Sequence, residues 1–593
     1  MIKLTAENLD TEYKSAKAKR DSHLEDFDHR IERLVGPGAH RVAPNDQSTV
    51  NRQGAYMAVT LPRLVQNNPR ASINARRRGR SSGNSDHTLD QQAAATKIFL
   101  DAWVKSVDLA SEHAKIGTDY LMYWGATLMT REKHPGMSTM RGADTYLPKL
   151  ERIPLYRIFI DPLCDDWRKA RYIGHVWNAD IDDLKAFAEE NEDEGWEKAA
   201  IKTLVASAGM DDLGDRNEED NTDREEVVCA DFWFPEHQPD KELGPEEGFN
   251  GAIVTIAISS GNKKSIIIRK PRPYFGPPRG PYEIYGTYSE YKTPYPVSPL
   301  TLSTGQEELL RSMVGEANKG ARSYRKVVLI PGGTKAKHAA ELAAIGKDLI
   351  IEVPGMAQDA KPVEIELGGV TDQQLRNVAY AERQADLITG MDQAQQGEVT
   401  GVGTATEHAI AESSSQTRNG YVIDRFRDGV RKNMERAAWY SWYDDEIAIP
   451  VGPDEEDTQE FEVPWIQGGS GDLDPLAFDL LEIDIEAMSM ERVTEELQKR
   501  RVMQAFEVMT QVIPLMRNFP EVNWRRMISM IGDALNLPDM GSLVDMDMLS
   551  QLTGVPSNTT PSASQGDVAG GERREVAGRM TGGAMSAVAG GVA

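Results

Sequence analysis

Cysteine, long apolar runs and positive charge are all scarce in this chain. Only Cys164 and Cys229 occur among 593 residues, too few to build a disulfide framework. No run of about 18 apolar residues is present, so the sequence lacks the pattern of a membrane-spanning helix. The stretch from Met1 to Arg20 carries acidic residues and lysines but no apolar signal-peptide core. These absences predict a cytosolic protein that does not enter a membrane.

Basic residues are outnumbered, with 67 Lys and Arg against 93 Asp and Glu and a formal net charge of −26. Tight, sequence-independent binding to nucleic acid depends on cations that neutralise phosphates. The charge therefore argues against such binding but is compatible with a protein that lets DNA pass. The basic run Arg76-Arg77-Arg78-Gly79-Arg80 stands out. A solvated loop or an ion-pair partner is its simpler interpretation, and contact with DNA or a DNA-handling partner is the alternative.

Signatures of catalysis are also missing. The sequence has no G-x-x-x-x-G-K-[ST] phosphate loop, no H-E-x-x-H and no paired C-x-x-C, and its ten histidines show no ligand spacing. The segment from Gly401 to Thr406 lacks the lysine of a phosphate site, so a loop with a threonine N-cap is the better interpretation. The acidic pairs Asp165-Asp166 and Asp444-Asp445 are expected on solvated surface. We therefore predict no enzyme, no cofactor and no metal.

Hydrophobic periodicity divides the first half of the chain into helices followed by strands, and the length predicts roughly two to four domains or lobes. Asp180 is a candidate helix N-cap, and Asp161-Pro162 is a turn signal. The proline- and tyrosine-rich segment from Pro271 to Pro299 predicts a rigid, extended connection. The predicted helices are Asn8–Leu34, Tyr56–Val65, Gln91–Trp124 and Asp180–Ala208, and the β segments are Leu147–Trp177, Val227–Phe234, Ala252–Ser259 and Lys264–Lys270.

The most informative stretch runs from Leu302 to Asp445. An amphipathic helix over Gln306–Tyr324 is followed by an insert with two β-branched runs, Leu349–Val353 and Val363–Leu367, and then by helical period again from Thr371. The chain is thus predicted to go out along one helix, form a small sheet at the tip and return along a second helix.

A very long helix is predicted after a glycine-rich break, starting near Thr404 or Thr406 and continuing towards Trp442. At 1.5 Å per residue it would be roughly 57 Å long. Further strand patterns follow at Glu446–Val451, Glu460–Ile466 and Phe478–Ile485, and helical patterns at Met490–Pro514 and Asn523–Leu535. The end of the chain from about Pro556 has few large apolar residues, which predicts disorder or order only on assembly.

This order of elements resembles the portal proteins of tailed bacteriophages, especially the podovirus type. The resemblance rests on the segment from Arg152-Ile153-Pro154 to Asp161-Pro162 with Ala170-Arg171-Tyr172-Ile173 after it, on Pro296-Val297-Ser298-Pro299-Leu300, and on Glu316-Ala317-Asn318. It extends to Leu387-Ile388-Thr389-Gly390 and to Thr404-Ala405-Thr406-Glu407 after the glycine-rich loop. It covers about residues 50 to 540, and the order of the motifs is more specific than any one of them.

The resemblance implies an α+β portal fold and a homo-oligomer, a dodecameric ring at one capsid vertex of the virion, assembled in the host cytoplasm. Double-stranded DNA would pass through its channel during packaging and ejection. The implied partners are the terminase large subunit, the major capsid protein, a scaffold, and head-to-tail adaptor or tail proteins. The implied parts are an N-terminal arm and wing (1–301), a first stem helix (302–326), a clip (327–369), a second stem helix (370–394), a tunnel loop (395–403), a long helix with wing strands (404–489), a helical crown (490–550) and a flexible tail (551–593).

Three sets of candidate site residues follow from this assignment. The stem residues expected to pack between ring neighbours are Leu310, Met313, Ala317 and Ala321. The clip residues expected to contact the motor or adaptor are Lys335, Lys337, His338, Lys347 and Lys361. The tunnel loop, expected to touch DNA only weakly because it has no Lys or Arg, is Gln395, Gln396, Gly397, Glu398, Val399, Thr400, Gly401, Val402 and Gly403.

Two alternatives remain open on the sequence. One is another structural head-to-tail connector or scaffold protein, although such connectors are usually shorter and lack the out-and-back helices with an insert. The other is an enzyme of the packaging motor, such as a nuclease or an ATPase. The missing phosphate-loop motif argues against the ATPase.

Overall fold

Helices dominate both ends of the described chain, and strands fill its middle. The computed structural model describes residues 3–25, 31, 52–65, 67–75, 84–133, 145–190, 195–204, 226–240, 242–244, 248–258, 265–332, 349–355, 357, 361, 363–389, 405–447, 449, 475–486, 490 and 503. Its α-helices are α1 (Ala6–His23), α2 (Arg52–Leu64), α3 (Asn84–Ser106), α4 (Leu109–Met122), α5 (Ile181–Glu190), α6 (Lys198–Lys202), α7 (Pro299–Ser323), α8 (Asp372–Thr389) and α9 (Ala405–Tyr443).

The strands belong to several small, mostly antiparallel sheets, so a mixed α+β class is confirmed. They are β1 (Ala71–Ala75), β2 (Gly125–Lys133), β3 (Tyr146–Arg152), β4 (Ile158–Ile160), β5 (Ile173–Asp180), β6 (Glu226–Phe234), β7 (Phe249–Ile258), β8 (Ile266–Phe275), β9 (Tyr282–Tyr285), β10 (Tyr288–Ser289), β11 (Pro296–Val297), β12 (Arg325–Pro331), β13 (Leu349–Val353), β14 (Val363–Leu367) and β15 (Leu481–Ile485). The sheet orders are β4-β5-β6-β7-β8, β3-β2-β9, β13-β12-β14, β1-β15 and β10-β11.

The chain separates into two compact units, Met1–Glu495 and Glu496–Ala593. All the elements above belong to the first unit, and the structure describes Met503 of the second. Apart from Met490 and Met503, the predicted crown helices lie outside the described residues, as does the C-terminal tail.

The five-stranded sheet is covered on both faces. Alternate residues of β6 point to opposite faces, as the two-residue period of a strand requires. Val228, Ala230 and Phe232 pack in one cluster with Leu9 and Tyr13 of α1. On the other face, residues of α5 and α6 pack with β6, and the members of that cluster include Val227, Cys229, Ile181, Leu184 and Ile201.

The long helix α9 crosses the largest core of the molecule. The predicted apolar face is confirmed where side chains are described: Phe426, Val430 and Met434 are fully buried, and Ile423 packs against the same cluster. Burial on this scale is worth about 1.5–3 kcal/mol for each such side chain. Helix α9 is therefore held by its C-terminal half, which packs against α2, α3 and β9.

A buried ionic network ties α9 to β9. Arg436 donates to a Glu283 carboxylate oxygen over 2.7 Å, and the Lys432 ammonium lies 3.5 Å from the other oxygen. Asn433 donates to the Tyr285 hydroxyl over 2.7 Å. Glu283 and Arg436 are both almost fully buried. Such networks are found where the relative position of two elements matters, because a shift of either would leave a charge unpaired.

The single predicted helix over Gln91–Trp124 is wrong in one respect, because it is two helices. The break falls at Val107 and Asp108, and Asp108 adopts the left-handed region with φ 47°. The Asn68 side chain accepts a hydrogen bond from the Ala110 N–H at 2.9 Å, which satisfies a donor in the first turn of α4. Gly125 is the first residue of β2. A Cβ at this position would lie 2.8 Å from the Ile116 side chain, which explains why the residue is a glycine.

Two other boundary predictions need correction, and one is confirmed. The helix predicted over Asn8–Leu34 is interrupted, because α1 ends at His23; Ile31 is again helical, and 26–30 and 32–34 lie outside the described residues. The β segment around Ile153–Pro162 is extended only over Ile158–Ile160, because Pro154 accepts a turn hydrogen bond from Arg157 at 2.8 Å. The predicted cap is present: Asp180 accepts from the Asp182 N–H at 2.9 Å.

Candidate functional site: a helical hairpin with a sheet at its tip

Helix α7 starts at a well-formed cap. The Ser298 side chain accepts a hydrogen bond from the Thr301 N–H at 3.2 Å, and Pro299 occupies the first helical position, where its missing N–H costs nothing. The helix then runs 25 residues to Ser323, which corresponds to roughly 37 Å. It packs against α8, the helix by which the chain returns. We call α7, β12–β14 and α8 together the hairpin.

Glycines allow the return at the tip. Gly368 and Gly369 have φ values of 79° and 97°, which favour glycine. The Gly369 N–H donates to the Gly320 carbonyl over 3.0 Å, and a Cβ on Gly320 would lie 2.8 Å from the Gly369 oxygen. A glycine inside a helix costs about 1 kcal/mol, and at Gly320 close approach explains why the residue is there.

The sheet at the tip has three strands, of which the sequence predicted the two outer ones. The central strand is β12, which pairs parallel with β13 and antiparallel with β14. Leu329 lies opposite both Ile351 and Val363, and Val327 lies opposite Ile365, so these residues share one face. Ile351, Val363 and Ile365 are exposed. This apolar face of the tip sheet is therefore exposed on its two outer strands in a single chain, whereas Val327 of the central strand is buried.

Helix α8 is attached to the rest of the first unit by charge. The Arg52 guanidinium of α2 lies 3.2 Å from Asp386 and 3.6 Å from Glu382. Ala381 and Ala385, on the same part of α8, are buried. This end of the hairpin is therefore its fixed base.

Exposed apolar side chains are concentrated in the hairpin. In the part of the chain that the structure describes, nine of the sixteen strongly exposed large apolar side chains belong to it. Contiguous exposed apolar surface in a water-soluble protein marks contact sites. The nine are Leu302, Leu309, Tyr324, Ile351, Val363, Ile365, Leu375, Tyr380 and Ile388.

The four predicted stem residues have different environments. Leu310 is fully buried within the chain, so it is not available to a neighbour. Met313 and Ala317 are half-buried and Ala321 is exposed. Leu302 and Leu309, one heptad apart, lie at the edge of this face of α7 and are 57% and 44% exposed. They are not among the predicted contact residues. The predicted face is thus buried at Leu310, and the most exposed leucines lie beside it.

Most of the other predicted site residues lie outside the described residues. This holds for Lys335, Lys337, His338 and Lys347 of the clip and for the whole tunnel loop, Gln395–Gly403. Lys361 is described and is exposed. The roles assigned to all of them remain predictions, as does any role for the basic run at Arg76–Arg80.

Three charged residues in the motif from Arg152 to Arg171, namely Arg152, Asp161 and Arg171, are paired within the chain. Arg152 binds the buried Asp119 through two nitrogens, at 2.5 and 2.7 Å. Arg171 binds Asp161 in the same way, at 2.6 and 2.8 Å. Burial favours the neutral acid, but the Arg171 guanidinium and the Leu163 N–H hold the pKa of Asp161 below its ordinary value. Asp119 and Asp161 therefore stabilise the fold.

Asp444 corrects the expectation that both acidic pairs are solvated. Its side chain is buried and receives the Arg131 Nε at 2.6 Å. Burial raises the pKa of Asp444, while the hydrogen bond from Arg131 opposes that rise. Asp445 and Asp165 are exposed, as predicted.

One buried cluster, which the sequence did not reveal, combines groups used in acid–base chemistry. His175 Nδ1 lies 2.9 Å from the Tyr282 hydroxyl, and its Nε2 lies 3.9 Å from Asp231. Burial lowers the pKa of His175 and raises that of Tyr282. Tyr282 is almost fully buried, so a substrate has no access to its hydroxyl. The strands β5, β6 and β9 bring the three residues together, which no local motif could signal.

The described ranges contain neither a candidate metal site nor a candidate membrane span. No group of three or more His, Cys, Asp or Glu side chains there could hold a metal ion. None of the described helices combines the length and apolar character needed to cross a bilayer. Comparison with models of known families gives no match, and no curated protein matches the chain. The hairpin is thus the candidate site that the described structure offers.

Proposed function

We propose that this chain is the portal subunit of a tailed bacteriophage, which assembles into a ring through which double-stranded DNA is packaged and ejected. The single observation that carries the proposal is the hairpin. An outgoing helix, a three-stranded tip and a returning helix come before a 39-residue helix, in the order in which the portal resemblance has stem, clip, stem and long helix.

The exposed apolar side chains of the hairpin support assembly. A lone chain leaves Leu302 and Leu309 on one stripe of α7 and Ile351, Val363 and Ile365 on the tip sheet in water. Burying apolar surface contributes about 25 cal/mol for each Å² removed from water. In a ring, the same face of every subunit is covered by the next subunit without any additional protein.

The charge of the chain supports the passage of DNA. A net charge of −26 repels phosphates, which allows DNA to slide without sticking. The terminase large subunit, capsid, scaffold and adaptor or tail proteins are the partners that belong to this proposal.

Sedimentation of the purified chain tests the proposal. We expect the wild type to form a large oligomer at micromolar concentration, and the double substitution Leu302→Asp and Leu309→Asp to give smaller species, because two carboxylates would have to be buried without partners. Leu163→Asp is the matched control, since Leu163 is 78% exposed and lies outside the hairpin. A monomeric wild type, or a double variant that assembles like the control, would contradict the proposal.

A further inference from the structure

A group of aromatic side chains and one arginine is held in place on the surface of α9. Tyr288 of β10 stacks on Tyr421 of α9, with ring centroids 5.7 Å apart and planes 27° apart. Tyr421 donates to the Thr287 carbonyl over 3.4 Å. One turn further, the Arg425 guanidinium lies 5.3 Å from the Tyr421 ring centroid, and its Nε donates to the Tyr421 hydroxyl over 3.1 Å. These side chains are therefore ordered before any partner binds.

The same group is well exposed. Tyr288 and Tyr421 are 36% and 43% exposed, and Tyr291, between β10 and β11, is 91% exposed. The next residue, Lys292, has φ 76°, a left-handed conformation that costs a non-glycine residue about 1 kcal/mol or more. A strained residue directly after an exposed aromatic side chain points to a use for this turn. We call Tyr288, Tyr291, Tyr421 and Arg425 the aromatic patch.

The composition of the aromatic patch is that of a binding hot spot. Tyrosine and arginine are enriched among the residues that dominate protein interfaces, whereas exposed lysine and glutamate are depleted there. Pre-ordered rings lose little conformational freedom on binding. The stacked pair Tyr288–Tyr421 and the arginine fixed beside it meet both conditions.

Charge selects the partner. Arg425 and the neighbouring Lys292 are exposed cations on a chain whose net charge is −26. Of the nearby acidic residues, Glu290 faces His23 at 3.5 Å, Asp428 is paired with Arg431 and Lys432 at 2.6 Å each, and Asp424 is exposed beside Arg425. An aromatic surface that presents an exposed arginine complements an acidic protein surface, and a second copy of this chain carries acidic residues in excess.

We infer that the aromatic patch is a contact site for an acidic surface on a second copy of this chain. The inference rests on the proposed function in one respect, since the ring supplies the neighbouring copy. It goes beyond it by identifying a polar, aromatic contact next to the base of α7, separate from the apolar contacts of the hairpin. In a cyclic ring, contacts join two different surfaces of each subunit, so the patch does not need to meet its own copy.

A photo-crosslinking experiment on the full chain tests the inference. Tyr291 is replaced by p-benzoylphenylalanine, and the purified protein is irradiated. We expect an adduct with twice the mass of the chain, whose second peptide is rich in Asp and Glu. Adding Arg425→Glu should lower the adduct yield about tenfold or more at subsaturating concentration, because a hot-spot cation is reversed. High salt should lower it as well.

The matched controls use a second exposed arginine that also lies over a ring. Arg168 is exposed and lies 5.2 Å from the Trp167 ring centroid, so Arg168→Glu makes the same charge change outside the patch and should leave the yield unchanged. The same photoreactive residue at Leu163 should give only background adduct. Near-ultraviolet circular dichroism checks that each variant is folded.

The outcomes separate this inference from the proposed function. Rings without a chain-to-chain adduct at position 291 would overturn the inference and leave the portal proposal standing. A chain-to-chain adduct in a protein that forms no rings would support the contact and contradict the portal proposal. Adducts only with DNA, or with a different protein when phage proteins are present, would overturn the inference, as would an equal yield from the Arg425→Glu variant.

Discussion

The elements that pack around the C-terminal half of α9, which we call the body, differ from the hairpin. The difference is in how fully a single chain covers its own apolar and charged side chains. In the body, even charged groups find partners inside the chain, as Glu283 does with Arg436 at 2.7 Å. In the hairpin, leucines such as Leu302 and Leu309 remain in water. A single chain therefore completes the body but does not cover the hairpin. The contrast separates residues that stabilise the subunit from residues left to contact something else.

The largest effect is expected from breaking the buried network of the body. Glu283→Ala leaves the Arg436 guanidinium buried without its carboxylate, while Lys432 keeps Asp428 at 2.6 Å, and the loss should lower the free energy of unfolding by roughly 3–5 kcal/mol. Urea unfolding followed by tryptophan fluorescence measures this. Glu316→Ala, at an exposed position of α7, is the control and should change stability by less than about 0.5 kcal/mol. A loss of stability from Glu283→Ala as small as that from Glu316→Ala would mean that the network does not stabilise the subunit.

Adjacent leucines in α7 sharpen the comparison. Leu310 is fully buried and Leu309 is 44% exposed. Leu310→Ala should cost roughly 2–5 kcal/mol because it leaves a cavity, whereas Leu309→Ala should barely change stability but weaken self-association. Thermal unfolding and sedimentation on the same samples give both quantities. If Leu309→Ala destabilised the subunit as much as Leu310→Ala, the assignment of the two faces would be wrong.

Replacing a glycine by alanine should change stability in opposite directions in the two regions. A Cβ at Gly174 in β5 would collide with the Asp231 carbonyl and the Phe159 ring, while nothing lies near a Cβ at Gly305 in α7. Gly174→Ala should therefore destabilise by roughly 1–3 kcal/mol. Gly305→Ala should stabilise by up to about 1 kcal/mol, because alanine favours helix. The shifts in denaturation midpoint should thus point in opposite directions, and shifts of the same sign would contradict the packing described for the two sites.

The effect that is smallest at neutral pH concerns acid. His113 of α4 is fully buried beside the Phe426 ring, and neither ring nitrogen has a hydrogen-bond partner in the described part of the chain. Burial lowers the pKa of His113 to about 3. The unfolded chain then takes up the proton first, so stability is lost as pH falls from about 6.5 towards 3.

Replacing that histidine should make the protein less sensitive to acid. His113→Leu should reduce the dependence of the unfolding free energy on pH by about 1.4 kcal/mol per pH unit between pH 4 and 6. The comparison is made with wild type over a pH series, with pH 8 as the reference, where the histidine is neutral in both states. An unchanged slope would show that His113 is not the responsible group.

Local patterns in the sequence predicted the elements that depend on short-range physics. The long helix, predicted to start near Thr404 or Thr406 and to continue towards Trp442, is Ala405–Tyr443, because a 3.6-residue period and a preceding glycine-rich break are both local signals. The two outer tip strands followed from β-branched runs in the same way. The central strand β12 was missed because its first residues, Arg325 and Lys326, read as the end of a helix.

Long-range pairing could not be predicted. Strand β1 pairs with β15, so Ala71 lies opposite Ile485, and no local signal connects segments so far apart in sequence. The burial of Leu310 and the exposure of Leu309 depend on where α8 and the rest of the chain pack. Nothing in the local sequence distinguishes Asp444 from the acidic residues on the surface, because Arg131, its partner, is brought beside it only by the fold. The sequence thus pointed to the hairpin but not to the face of it that is exposed.

Electron microscopy of the purified full chain tests the central claim most directly, because the claim is that neighbouring copies cover the hairpin. Negative-stain class averages should show closed rings with a central hole, and they should be lost when Leu302 and Leu309 are both replaced by aspartate. Wild-type particles of single-chain size with no central hole would contradict the account.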